Sequence, residues 1–151
     1  MTTTTLLVSA IKEGTVIDHL IPGQALKVIR MLHLENQQTP ITIGLNLKSR
    51  SKGFKDLIKF EQLFLTEKHC ACIAIFSPGA TVNVIQDYKV AQKITVAIPH
   101  VIDHLLRCPN LSCVTRHENI PTRFLVEKNN SLVLLHCRHC EKGFSADEMN
   151  H

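Results

Sequence analysis

The chain of 151 residues has no tryptophan, one tyrosine and six phenylalanines. So few aromatic faces leave little for unpaired bases to stack on, which removes a main source of affinity for single-stranded nucleic acid. No stretch approaches the roughly 18 apolar residues that span a bilayer. The opening Met1 to Leu7 lacks the basic start and apolar run of a secretion signal, so a soluble, cytoplasmic protein without a membrane partner is expected. A glycine-rich phosphate loop, a G-x-S-x-G elbow, an H-E-x-x-H helix and any obvious paired acid and base are also missing, so no enzyme activity is expected. Repeats are absent, and 44% hydrophobic content excludes disorder for most of the chain.

The six cysteines carry more information. Four of them, Cys108, Cys113, Cys137 and Cys140, form a C-x4-C-x23-C-x2-C pattern. Two close pairs separated by a strand-rich stretch suit a tetrahedral site of four thiolates around one structural Zn(2+). Residues 100–151 hold few large apolar side chains, and a metal would supply the cross-link that such a short segment lacks. His136 and His139 flank the second pair, but four thiolates already complete the shell. Cys70 and Cys72 lie among Ala71, Ile73 and Ala74 and read as small buried hydrophobes.

Charge is unevenly placed. Residues 1–99 hold 11 Lys and Arg against 7 Asp and Glu, whereas residues 100–151 hold 6 of each. A tail that is neutral before its thiolates are counted is a poor electrostatic partner for a polyanion. The competing reading, a zinc-ribbon nucleic-acid-binding protein, is therefore disfavoured.

Along the chain, Leu6 to Ile11 alternate as a first strand. Ala25, Leu26, Val28, Ile29 and Leu32 recur at helical spacing after the Pro22-Gly23 turn. Residues 40–48 and 54–61 read as two strands joined by a polar hairpin loop. Thr66 offers an N-cap, with Glu67 behind it, for a second helix that Pro78-Gly79 stops. Residues 80–86 and 88–96 complete a strand, helix, strand, strand, helix, strand order with one strand added. The expectation is an α+β chain. Residues 1–99 form a ferredoxin-like antiparallel sheet with two helices, and residues 100–151 form a small all-β zinc-ribbon-like domain.

With the cysteine spacing, the segments Thr15 to His19, Ile41 to Leu47, Lys55 to Lys59 and Ala80 to Asn83 closely resemble the regulatory chain of aspartate carbamoyltransferase. The resemblance covers nearly the whole length. It implies a non-catalytic subunit whose N-terminal domain binds nucleotide effectors and pairs into a homodimer, while the zinc domain docks on catalytic chains. In that family ATP activates, and CTP aided by UTP inhibits, the first committed step of pyrimidine synthesis.

The resemblance also implies site residues. His19, Lys55, Lys59 and Lys93 match effector-site positions, and Lys12 accompanies them as a cation converging on a triphosphate. Backbone groups of Ala10, Ile11, Ile85 and Tyr88 match the base-reading wall. Asp18 and Asn83 stand near the sugar or base, and Val16 and Val90 are apolar contacts. Asn110 and Glu141 are the implied contacts with the catalytic chain.

Overall fold

A computed structural model of the chain describes residues 10–51, 53–130 and 132–149. The first sheet contains β1 (Gly14–Leu20), β2 (Ile41–Ser49), β3 (Gly53–Glu61), β4 (Thr81–Gln86) and β5 (Lys89–Thr95), with α1 (Ala25–Met31) and α2 (Glu67–Phe76) between strands. Its spatial order is β2-β3-β1-β4-β5, and every neighbouring pair is antiparallel. The first four strands follow the split βαβ arrangement, and β5 adds an edge by a hairpin.

The sequence-based first strand, Leu6 to Ile11, falls mostly outside the described residues. Residues up to Ser9 lie outside the described part, and Ala10 and Ile11 belong to no strand. The first described strand is Gly14–Leu20, whose apolar signal is interrupted by Asp18 and His19. It starts at a glycine for a steric reason. Gly14 has φ +143°, and a Cβ there would sit 1.9 Å from the carbonyl oxygen of Phe60.

Among the described residues, helices cover one face of this sheet and not the other. Ile17, Ile58, Phe60 and Val82 point back against Val28, Ile29, Cys72, Ile73 and Phe76 of the helices, and all are buried. The start of α1 is fixed from a distance, because its own N-cap, Gln24, makes no side-chain bond. The fully buried Asp56 on β3 supplies the acceptor instead. Its carboxylate accepts the N–H groups of Gly23 at 2.9 Å and Ala25 at 3.3 Å, and that of Asn46 at 3.0 Å within the irregular part of β2. One carboxylate thus satisfies donors at a positive helix end and at a strand irregularity, which tolerates its burial. Thr66 caps α2 as expected. Its hydroxyl accepts the His69 N–H while the His69 ring accepts the Thr66 N–H, a capping box with histidine in the usual glutamate position.

Residues 96–100 carry no regular structure and lead to a second antiparallel sheet. It comprises β6 (Val101–Asp103), β7 (Arg123–Asn129), β8 (Leu132–Cys137) and β9 (Gly143–Ser145) in that spatial order, with single helical turns at α3 (Val114–His117) and Ala146–Met149. Helix α2 is buried on nearly all sides because it also faces β6 and the final turn. Ile102, Leu106 and Met149 therefore join the same apolar cluster as Ile73 and Phe76. The short C-terminal segment leans on α2 for part of its core.

Candidate functional site

The uncovered face of the first sheet carries a row of residues in register. Lys93 on β5 lies opposite Asn83 on β4, Asn83 opposite Val16 on β1, and Val16 opposite Lys59 on β3. Residues one pleat further along, Asp18 on β1 and Lys55 and Leu57 on β3, share this face because side chains alternate with a period of two. Above the row opens a cavity of about 260 Å³ lined by Ala10, Ile11, Val16, Asp18, Leu57, Lys59, Asn83, Ile85, Tyr88 and Val90. All but Leu57 are residues that the resemblance implied.

The other four implied residues lie outside the cavity lining. Lys55 donates to the Asp18 carboxylate at 2.8 Å, and both side chains are about four-fifths buried. Lys93 extends the row beyond Asn83 toward the sheet edge. His19 is turned aside. It occupies the left-handed region at φ 58°, where Asp18 accepts its N–H at 2.7 Å, and its ring meets the Thr81 hydroxyl at 3.2 Å. Lys12 borders a neighbouring hollow with Glu13, Glu61 and Gln62, and its carbonyl accepts the Tyr88 N–H at 3.0 Å.

Two features mark this face as more than a solvated surface. Lys59 is only 8% exposed. Burial pushes its ammonium below the ordinary value, an effect that Asp18 partly reverses. The two-residue turn between β4 and β5 has both central residues at positive φ, Asp87 at 52° and Tyr88 at 63°. Tyrosine is a costly residue there, and its ring projects from the turn 63% exposed beside the cavity.

The second constellation is sulfur. One ligand atom from each of Cys108, Cys113, Cys137 and Cys140 lies within 4.8 Å of the others. The Cys108–Cys140 and Cys113–Cys137 sulfurs are 3.7 and 3.8 Å apart. A tetrahedron with metal–sulfur bonds of about 2.3 Å has edges of about 3.8 Å, so the spacing fits one Zn(2+), whereas a disulfide would need about 2.05 Å. Burial pushes the Cys137 thiol up, and the backbone N–H groups of His139 and Cys140 that point at its sulfur offset only part of that rise. Burial pushes the Cys108 thiol up. At Cys140 burial also acts upward, but the Asn110 amide, the Lys142 N–H and the neighbouring thiols outweigh it and bring the group down to about 7. His136 pairs with Glu127 at 3.0 Å and His139 bonds the Pro121 carbonyl, so each ring has a partner outside the cluster. Cys70 and Cys72 are buried in α2, and desolvation raises the Cys72 thiol to about 12.

A family model described as aspartate carbamoyltransferase regulatory chain, allosteric domain, matches residues 6–97, and one described as the metal binding domain of the same chain matches residues 100–150. The chain belongs to the aspartate carbamoyltransferase regulatory chain family. The regulatory chain of Photobacterium profundum is 41% identical over 144 residues, 95% of this chain and 94% of that one. The regulatory chain of Vibrio vulnificus is 40% identical over the same shares, and one from Vibrio cholerae is 39% identical over 95% of this chain and 93% of its own.

As a regulatory chain it is non-catalytic, with an allosteric domain and a metal-binding domain that carries the cysteine cluster. Of the two implied docking residues, Glu141 is exposed on the turn after Cys140, at φ 64°. Asn110 is half-buried. Its side-chain oxygen accepts the Ser112 N–H at 3.1 Å and its amide faces the Cys140 sulfur, so it shapes the cluster as well. Two residues escaped the sequence reading. Leu57 sits midway between Lys55 and Lys59 on one pleat face, a placement that strand periodicity alone gives. Asp56 is a carboxylate inside the apolar run of β3, and its partners Gly23, Ala25 and Asn46 come together with it only in the fold.

Proposed function

We propose that this chain is the nucleotide sensor of an aspartate carbamoyltransferase assembly, binding CTP or ATP, and UTP in addition, on the open face of its first sheet. The observation that carries this reading is the cavity of about 260 Å³ set in a row of lysines on the face that no helix among the described residues covers. That volume lies below the about 300 Å³ at which small-molecule sites usually begin, so it suits a base and sugar while the phosphates extend over the open sheet. There the triphosphate meets Lys55, Lys59 and Lys93, with Lys12 at the rim. Asp18 and Asn83 face the sugar or base, and backbone groups of Ala10, Ile11, Ile85 and Tyr88 read its edge beside Val16 and Val90. His19 orients Asp18 from behind.

Residues 1–99 are the effector-binding part and pair into a homodimer. Residues 100–151 are the docking part, in which Cys108, Cys113, Cys137 and Cys140 hold one structural Zn(2+). The metal supplies a cross-link, and its closed shell leaves no position for substrate. Asn110 and Glu141 face the catalytic chains. Allostery requires an effector that prefers one of two global states, typically by about 1–3 kcal/mol. Helix α2 is the element placed to transmit that preference, with the sheet on one side and β6 on the other. Titration calorimetry of the full chain with CTP and ATP tests the reading: saturable binding at one face-directed site is expected, and no heat with either nucleotide would overturn it.

A further inference from the structure

The four sulfurs are unequally protected. Cys108, Cys113 and Cys137 are at most 1% exposed, whereas Cys140 is only half-buried. It sits on a turn whose other members, Arg138, His139, Glu141 and Lys142, are all exposed. Directly behind it, 3.7 Å away, lies the sealed Cys108 sulfur. A partly accessible cysteine sulfur backed by a second sulfur within reach is the arrangement that senses oxidants, because the first is oxidised and the second resolves it.

We propose that Cys140 is a peroxide-sensitive site in the chain before assembly, with Cys108 as its resolving partner. This rests on the metal reading above. The Cys140 thiolate attacks hydrogen peroxide: a sulfur–oxygen bond forms, the oxygen–oxygen bond breaks, and hydroxide leaves. The Cys108 thiolate then attacks the resulting sulfenic acid, expelling a second hydroxide and forming the Cys108–Cys140 disulfide. The two sulfurs together lose two electrons, and the peroxide becomes two hydroxide ions, which take up two protons from the buffer to give water. The 3.7 Å separation contracts to about 2.05 Å, a movement small enough for side-chain rotation on these turns. The cluster is left with Cys113 and Cys137, which cannot complete a four-coordinate shell. The docking part loosens while the cavity on the first sheet stays intact. A thiol reductant with fresh metal restores the site.

Hydrogen peroxide added in small steps to the purified full chain tests this, after its metal content has been measured. Metal release is followed with a chromogenic chelator, the sulfenic acid is trapped with dimedone, and disulfides are mapped by mass spectrometry without reduction. The expected result is loss of one metal per chain for each Cys108–Cys140 bond, with dimedone on Cys140 first. A first label on another cysteine, or a first disulfide between Cys113 and Cys137, would overturn the proposal. A chain that carries no metal at the outset yet oxidises first at Cys140 would instead refute the metal reading and leave the order of reactivity standing. Because these readouts use the unaltered chain, they do not depend on a cysteine variant folding.

Discussion

Replacing Lys59 by methionine should move stability and function in opposite directions. Lys59 as a residue is only 8% exposed, and burial lowers the pKa of its ammonium from the ordinary 10.5. The folded chain thus holds this proton less tightly than the unfolded chain does. Between the folded value and 10.5, the unfolded state binds more protons, so stability rises with pH across that window. An apolar side chain of similar length relieves the desolvation, and Lys59→Met should leave stability unchanged or raise it by about 1 kcal/mol, as is usual where a functional group sits uneasily. Triphosphate binding behaves oppositely. A charged hydrogen bond to phosphate is worth about 1.5–3 kcal/mol, so its loss weakens binding by about tenfold to a little over a hundredfold. Wild-type affinity should also fall as pH rises through the Lys59 titration, because the neutral amine no longer attracts the phosphates. Calorimetry and urea unfolding on the same samples measure both quantities. Unchanged nucleotide affinity alongside a stability loss above about 2 kcal/mol would refute the reasoning and make Lys59 a structural residue.

Other perturbations separate the parts of the molecule. Asp56→Ala removes the acceptor for three buried or half-buried N–H groups and should cost about 3–5 kcal/mol in urea unfolding, whereas a loss under about 1 kcal/mol would contradict its capping role. Stripping the metal with a chelator should abolish association with catalytic chains in gel filtration while nucleotide binding to the first sheet persists; simultaneous loss of both would count against separable parts. The Lys27–Asp147 ion pair, 3.2 Å long, links α1 to the last helical turn. It is exposed and worth at most about 1 kcal/mol, so Lys27→Glu should reduce the effector response of the assembled enzyme only a few-fold, and adding Asp147→Lys should restore it. Failure of the double variant to recover would remove the pair from the coupling route.

Much of this was legible in the chain itself, for reasons that differ by segment. The first helix and the capped start of the second follow from spacing and from Thr66, because local rules and tertiary packing agree there. The cysteine cluster follows from its pattern. Strand β1 was harder to see, since Asp18 and His19 break its apolar alternation with groups that serve the open face. Asp56 was hidden by distance, for its partners at Gly23 and Asn46 come from two other elements, and only the folded sheet brings them together. Leu57 was readable from the pleat, but charged neighbours on either side drew the eye away from it. The dependence of the C-terminal segment on α2 was likewise invisible, because the helix shows no one-sided pattern: both of its sides are covered.

The most direct measurement is hydrogen–deuterium exchange of the full chain with and without saturating CTP or ATP. Added protection should concentrate in the strands that frame the cavity, around Val16 to Asp18, Leu57 to Lys59 and Asn83 to Val90, and either nucleotide should protect the same amides. Protection confined to the cysteine cluster, or none at all on the open face, would contradict the account.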